Sequence, residues 1–239
     1  MGFDYKPRRT KVGIGARMMR LIARVVIWFV LLSVGFTLLY RFVPPPVTLT
    51  MLTDGNGITK DWTPLSRIDR NMVSAAIAAE DSKFCSHSGF DEDAIRNAMQ
   101  RNAEGGRLRG GSTISQQTAK NVFLWQGEGW TRYARKGFEV WFTFLIETLW
   151  DKRRIMEVYL NVAETGIGTY GVEAGAQRYF GKSAASLTRT EAARMAAALP
   201  SPKTRSVKNP GGFTRRYGNT IAARIGVVRR DGLDACVYE

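Results

Sequence analysis

The pattern of apolar and polar positions separates one long apolar run near the start of the chain from a series of amphipathic segments. Residues 25–40, "VVIWFVLLSVGFTLLY", carry no charge, and Leu21 to Ala23 extend the run toward Arg24. A helix needs about 20 apolar residues to cross a bilayer. Because Arg24 and Arg41 can extend their charged ends toward water, the extended run is long enough. We therefore predict a transmembrane helix over residues 21–43.

The charges around this run predict its orientation. Seven basic residues lie within the first 24 positions, and after Arg41 no lysine or arginine occurs before Lys60. The side with more basic residues normally stays in the cytoplasm. Residues 1–20 are therefore expected as a cytoplasmic tail, with the bulk of the chain on the outer face. A cleaved signal peptide is the alternative, although "YRFVPPP" lacks its small-residue cleavage pattern.

Beyond the apolar run the pattern is that of a mainly α-helical domain. Residues 44–62 contain the stiff "VPPPV" and the alternating "VTLTMLTDGNG", so they are expected to form a linker with a short β element. Helical periodicity then predicts a domain over residues 63–230 and a tail over 231–239. The expected helices span residues 63–80, 91–102, 113–123, 130–150, 153–161, 171–180, 186–199 and 213–229. Between them, the glycine-rich segment 103–110, with Arg107 and Arg109, is expected to be mobile.

Composition narrows the classes of partner and site. The chain of 239 residues has 35 lysines and arginines against 21 acids, a net charge of +14, which suggests an anionic partner. With a membrane anchor in place, a lipid surface or phosphate-bearing substrate is favoured and nucleic acid is not. One histidine and two cysteines cannot form the usual four-ligand zinc site. A Cys85–Cys236 disulfide remains open, and two buried thiols are the simpler interpretation.

Two adjacent acids at the end of the first predicted domain helix are the first candidates for chemistry. Glu80 lies at the negative end of the helix dipole beside Asp81, and both should raise the pKa of Glu80 toward that of a general base. The simpler interpretation is a solvated helix end. His87, the single histidine, is more often a structural residue than a catalyst.

Two further segments are candidates for anion binding. In "GGSTISQQTAKN", Ser112 or Thr113 begins a helix that also carries Gln116, Gln117 and Lys120, and free N–H groups at a helix start favour an anion.

Arg135 and Glu139 in "YARKGFE" lie on one helix face. The simpler interpretations of these two segments are an ordinary capped helix and a surface salt bridge, the latter worth about 0.3–0.5 kcal/mol.

These segments together resemble a known family. "EDSKFCSHSGFD" is similar to the EDxxFxxHxGxD motif of the peptidoglycan glycosyltransferases, "GGSTISQQTAKN" to their second motif and "RKGFE" to their RKxxE. "KRRIMEVYLN" resembles KxxILExYLN, with Met156 where leucine is usual, and "YGVEAGAQRYFGK" resembles the fifth block. The five motifs occur in the family order over residues 79–182, and the chain most resembles the monofunctional biosynthetic transglycosylases.

The resemblance implies a fold, a reaction and a set of roles. The fold would be lysozyme-like, two-lobed and mainly α, and the reaction would polymerise lipid II into a glycan strand at the outer face of the bacterial inner membrane. Glu80 would be the base that activates the acceptor hydroxyl, with inversion at the anomeric carbon and release of lipid pyrophosphate. Glu139 would be a second catalytic carboxylate that organises basic groups or holds a divalent cation, Mg²⁺ or Mn²⁺. Substrate would be bound by Asp81, Ser112, Thr113, Gln116, Gln117, Lys120, Arg135 and Lys136.

Several alternatives stay open beside this interpretation. A lysozyme-like site would also suit a lytic hydrolase, although an uncharged glycan needs no pyrophosphate site. A membrane-anchored scaffold that recruits proteins of the cell-wall synthesis complex is a second alternative. The transpeptidase elements SxxK, SxN and KTG are not found, so a monofunctional enzyme is expected. The aromatic stretch 141–150 is expected mainly as helix core, with an apolar surface entering lipid as the alternative.

Overall fold

The computed structural model describes residues 13–103, 111–127 and 129–238. It is mainly helical with one small sheet, as expected. The helices in chain order are α1 (Ile14–Phe42), α2 (Leu49–Leu52), α3 (Arg70–Glu80), α4 (Glu92–Ala103), α5 (Ile114–Phe123), α6 (Thr131–Leu149), α7 (Lys152–Val162), α8 (Val172–Phe180), α9 (Arg189–Ala198), α10 (Gly212–Arg230) and α11 (Ala235–Tyr238). Short 3₁₀ turns cover Leu65–Arg67 and Ala184–Ser186.

The sheet has three very short strands in the order β1, β3, β2. The strands are β1 (Thr59–Lys60), β2 (Glu164–Gly166) and β3 (Thr169–Tyr170). β1 runs parallel to β3, with Thr59 opposite Thr169, and β2 runs antiparallel to β3. The sheet thus joins the segment before the domain to the connection between α7 and α8.

The domain helices pack in two groups. Helices α3, α9 and α10 pack on one another, and α5 packs against α6 and α7. The helix α3 ends at Glu80, and the turn that follows it meets the start of α5. Glu80 and Asp81 therefore lie where the two groups meet.

Two of the expected elements are wrong in detail. The alternating segment after Val47 is not a strand, because Thr48 caps the short helix α2 by accepting a hydrogen bond from Met51 N. The first domain helix does not begin at Thr63. Its N-cap is Asp69, whose carboxylate accepts from Asn71 N at 2.7 Å.

The apolar helix α1 is, among the described residues, the one helix long and apolar enough to cross a membrane. This is compatible with an anchor, and a signal sequence near an N-terminus has the same character. The aromatic helix α6 has both buried and exposed aromatic side chains. Phe142 and Ile146 are buried, whereas Phe138 and Phe144 are exposed.

Cys85 and Cys236 form a disulfide, so the expectation of two buried thiols is wrong. Residues 231–238, expected as a tail, pack through α11 against α7. The glycine-rich segment expected to be mobile lies almost wholly outside the described residues, over 104–110.

Candidate active site

Glu80 occupies the last position of α3 with one carboxylate oxygen paired and the other free. Its Oε2 accepts a hydrogen bond from Gln117 Nε2 at 2.8 Å. Its Oε1 is buried and has no hydrogen-bond partner within the described part of the chain. A carboxylate held at one oxygen and unpaired at the other has the geometry of a proton acceptor.

The environment of Glu80 raises its pKa, chiefly through burial. The hydrogen bond from Gln117 and the positive charges of Arg205 and Lys120 act in the opposite direction, while the negative charge of Asp81 raises the pKa further. The expected direction is therefore found, but the largest cause is desolvation rather than the neighbouring acid. A raised pKa suits a group that must take up a proton near neutral pH.

Asp81 uses both carboxylate oxygens inside the protein. His87 Nε2 lies 2.9 Å from Oδ1 and 3.0 Å from Oδ2, and Ile114 N donates to Oδ2 at 3.0 Å. Asp81 is 7% exposed. This geometry favours a structural role for Asp81 and His87, which together join the turn after α3 to the first residue of α5.

The turn that contains Asp81 ends at Gly89, where only a glycine fits well. Gly89 has φ +88°, and a Cβ there would lie 2.7 Å from Thr143 Cγ2. Its carbonyl accepts from Thr113 Oγ1 at 2.6 Å. Lys152 Nζ donates to the His87 carbonyl at 2.7 Å. Thr113, the N-cap of α5, and Lys152 of α7 therefore hold the turn by hydrogen bonds.

The two adjacent glutamines on α5 have different functions. Gln116 belongs to a capping box: its Oε1 accepts from Thr113 N at 3.0 Å, and its own N–H donates to Thr113 Oγ1 at 3.2 Å. Thr113 and Gln116 are both buried. Gln117 instead turns its amide toward Glu80. Of these residues, the site geometry supports a direct role for Gln117.

A cationic cluster surrounds the buried carboxylate of Glu139. Arg135 Nη1 pairs with Glu139 Oε2 at 2.9 Å, and Lys136 Nζ pairs with Oε1. Lys136 also donates to Ser112 Oγ at 3.1 Å. Arg135 Nε is buried without a partner in the described residues. Glu139, Arg135, Lys136 and Ser112 are thus brought together, as expected.

Lys120 lies within electrostatic range of both carboxylates. Burial lowers its pKa first, and the positive charges of Arg135 and Lys136 lower it further, while Glu139 and Glu80 act to raise it. The cations of the cluster outnumber its one carboxylate. Such an excess of donors around a buried region suits a polyanionic group such as a pyrophosphate.

Glu139 does not fit the divalent-cation site that the resemblance left open. Both of its oxygens already pair with cationic side chains. Across the described ranges, no group of three or more His, Cys, Asp or Glu side chains is arranged to hold a metal ion. Like charges from Arg135 and Lys136 would also oppose a bound cation.

Three residues near Glu80 were not predicted from the sequence. Arg205 lowers the pKa of Glu80, as described above. Tyr217 Oη donates to the carbonyl of Ala79 at 2.7 Å. The buried hydroxyl of Tyr159 has a pKa raised first by burial and then by Glu80 and Asp81. Tyr159 is part of the motif "KRRIMEVYLN". Arg205 and Tyr217 lie outside all five motifs, so the sequence did not mark them as site residues.

Comparison with known proteins identifies the family of the chain. The family model described as Transglycosylase matches residues 48–225. A biosynthetic peptidoglycan transglycosylase of Caulobacter vibrioides is 54% identical over 84% of this chain and 87% of its own length. Proteins of the same name from Rhodospirillum centenum and Pseudomonas putida are 48% and 44% identical, over 93% and 89% of this chain and 97% and 90% of their own lengths. The chain therefore belongs to the transglycosylase family.

Proposed function

We propose that this chain is a peptidoglycan glycosyltransferase that polymerises lipid II into glycan strands during cell-wall synthesis. The names of its relatives support the synthesis of peptidoglycan. The observation that carries the assignment is the combination of an unpaired oxygen on Glu80 with a cationic cluster around Glu139. Transfer from a glycosyl pyrophosphate needs both a base and an anion site, whereas hydrolysis of an uncharged glycan needs no anion site.

In the proposed reaction Glu80 Oε1 accepts the proton of the acceptor sugar's 4-hydroxyl. The hydroxyl oxygen then forms a bond to the anomeric carbon of the growing chain from the face opposite the leaving group. The bond from that carbon to the pyrophosphate breaks, and its electron pair departs with the lipid pyrophosphate. The configuration at the anomeric carbon is therefore inverted.

Lys120, Arg135 and Lys136 neutralise the negative charge that develops on the leaving pyrophosphate. Electrostatic stabilisation of this kind is commonly the largest contribution to a rate enhancement. Glu139 organises Arg135 and Lys136 by pairing with both, so it acts as a positioning residue rather than on the reacting atoms.

The proposed location follows from α1 and its charges. The apolar helix near the N-terminus is compatible with a membrane anchor. We propose a single-pass protein of the bacterial inner membrane, with a cytoplasmic N-terminus and the catalytic domain on the outer face. The anionic lipid-linked substrate would reach the cationic cluster from the membrane surface. Proteins of the cell-wall synthesis complex are the proposed protein partners.

The substitution Glu80→Gln tests the assignment. Loss of a general base lowers rates by about 10²–10⁴-fold, so the full-length variant in detergent should lose polymerisation of lipid II by that factor. Glu92→Gln, an exposed change of the same kind on α4, should keep wild-type activity. Circular dichroism of both variants controls for folding.

The same preparations separate synthesis from hydrolysis. Incubation of the wild type with purified sacculi should release no soluble glycan fragments. Release of such fragments, or full polymerisation by Glu80→Gln, would contradict the proposal.

A further inference from the structure

The disulfide connects the neighbourhood of Glu80 to a distant part of the sequence. Cys85 lies in the turn that follows α3, and Cys236 lies in α11. Their Cα atoms are 5.5 Å apart, and 151 positions separate them along the chain. None of the catalytic roles described above uses either cysteine.

Residues 231–238, here named the C-terminal clamp, also bind the beginning of α3. Asp234 is fully buried and accepts from Arg70 Nη2 at 2.8 Å and from Arg70 Nε at 3.0 Å. Ser74 Oγ donates to the same carboxylate at 3.1 Å. Loss of this ion pair would leave the buried Asp234 carboxylate unpaired, which is strongly destabilising. The contact therefore fixes the clamp on α3.

The clamp is fixed to the rest of the domain as well. Arg153 Nη1, on α7, donates to the Val237 carbonyl at 3.0 Å. The preceding helix α10 reaches both ends of α3: Arg229 Nη2 donates to Asn71 Oδ1 at 2.8 Å, and Tyr217 Oη donates to the Ala79 carbonyl. The chain from α10 onward therefore follows α3 from its first turn to the residue before Glu80.

We propose that Cys85 and Cys236 are positioning residues for the reaction, because their disulfide holds the turn after Glu80 against the C-terminal clamp and so keeps the carboxylate at Gln117. This inference rests on the proposed role of Glu80 as the base. The groups that hydrogen-bond to Asp81, His87 and Gly89 come from the start of α5, from α7 or from the turn itself. The disulfide attaches the same turn to the C-terminal clamp.

The size of the effect follows from the geometry that catalysis demands. A displacement of about 1 Å caused by a change away from the reacting atoms can lower a rate by about 100-fold. Loosening the turn would also admit water to Glu80, and its pKa would fall because burial is the main cause that raises it. The disulfide should therefore affect turnover and its pH dependence more than substrate affinity.

The double substitution Cys85→Ser/Cys236→Ser in the full-length protein tests this inference. At a temperature well below its unfolding midpoint, the variant should polymerise lipid II with a kcat lower by about 10- to 100-fold, and its KM should change by less than about twofold. The acid limb of its pH profile should move to lower pH. Reduction of the wild type should give the same changes, and the double variant should not respond to the reductant.

Thr188→Ala is the matched control for loss of stability alone. Thr188 caps α9, which packs on α3 from another side, and it is exposed. This variant should keep the kcat and the acid limb of the wild type. An unchanged kcat and an unchanged acid limb in the folded double variant would overturn the inference.

Hydrogen exchange gives a readout that does not depend on the reaction. In the double variant, exchange should increase in a peptide covering residues 81–89 and remain unchanged in α7. An increase spread evenly over the domain would show only general stabilisation and would also overturn the inference. If the wild type fails to polymerise lipid II, the proposed function is wrong, and the exchange data still decide whether the disulfide holds the turn.

Discussion

Several groups raise or lower the pKa of Glu80. The hydrogen bond from the Gln117 amide is one of these effects, and a single substitution can remove it. Burial raises the pKa of Glu80, while the hydrogen bond from Gln117 lowers it by favouring the charged carboxylate. The site therefore keeps a base that is easier to protonate than an exposed glutamate.

Gln117→Leu should raise the pKa of Glu80 further and move the acid limb of the kcat profile to higher pH. The variant should consequently lose activity at the acid end of the profile and recover part of it as the pH rises. Polymerisation rates measured across pH check this. Gln177→Leu on α8, which removes an amide that donates to Glu173 at 2.9 Å, should leave the profile unchanged. A downward shift in Gln117→Leu would contradict the assignment of the base.

The same ionisation affects stability with a definite sign. The pKa of Glu80 is higher in the folded protein than its ordinary value, so folding favours the protonated form. The resulting stability is fully present below the ordinary glutamate pKa and is lost as the pH rises through the folded-state value. Ionised Glu80 therefore lowers the free energy of unfolding at the pH at which it serves as a base.

The adjacent acids and amides show how far the sequence can predict a site. Glu80 and Asp81 have similar chemistry in the sequence, and only tertiary packing shows that one has a free oxygen while the other is fully bonded. The two glutamines are different. Thr113-x-x-Gln116 matches the capping-box pattern, so the structural role of Gln116 was predictable and was missed. Thr188-x-x-Glu191 has the same pattern and also forms a capping box, at the start of α9.

The start of α5 has two functions, since it closes the helix and holds the turn after α3. Thr113 Oγ1 accepts from Gln116 N and donates to the Gly89 carbonyl. The neighbouring Ile114 N donates to Asp81. The start of α5 therefore fixes Asp81 and Gly89, which lie at the two ends of the turn that follows α3.

Thr113→Ala should destabilise the protein more than Thr188→Ala, although each removes a capping hydroxyl. Loss of an exposed cap costs about 1 kcal/mol, whereas Thr113→Ala also leaves the Gly89 carbonyl without its partner in a buried place, and a total of about 2–3 kcal/mol is expected. Denaturant unfolding of the two full-length variants in detergent measures the difference. Equal losses would show that the bond to Gly89 contributes little.

The start of the first domain helix and the presence of α2 depend on tertiary contacts that the local sequence pattern cannot predict. Thr63-Pro64 is a good helix start, yet Asn161 of α7 binds both the N–H and the carbonyl of Thr63 at 2.8 Å and keeps that backbone extended. The short helix α2 is similarly tied, because Thr50 Oγ1 donates to the Leu124 carbonyl at 3.0 Å. The longer helices had strong periodicity, and α4 to α10 lie close to their predicted ranges.

Helix α1 and the domain form one connected structure in which α1 packs along α6. Trp141 Nε1 donates to Ser33 Oγ at 3.0 Å, and Trp150 Nε1 donates to the Thr37 carbonyl at 2.8 Å. Phe29 also contacts Phe138, with ring centroids 5.6 Å apart. If α1 spans the bilayer as proposed, the exposed apolar side chains of α6 face the same lipid.

Replacing both of these tryptophans by phenylalanine should loosen the packing of α1 on α6 without unfolding the domain. Each lost hydrogen bond is worth about 0.5–1.5 kcal/mol, so loss of both should increase local separation of α1 from α6 by about 5- to 150-fold in the double variant. Limited trypsin digestion of the full-length protein in detergent, followed at Arg41, measures this opening. Trp130→Phe is the control, because Trp130 is 77% exposed. Identical digestion rates would show that the two indole contacts are unimportant.

The disulfide also places a condition on how the protein matures. Cys85 cannot meet its partner until another 151 residues have been synthesised and α10 has folded back along α3, so the bond forms late. It needs an oxidising compartment, which the proposed outer location provides and a reducing cytosol does not. Enzyme produced in a reducing cytosol would lack the bond, so recombinant batches with equal purity should differ in specific activity according to their content of free thiol.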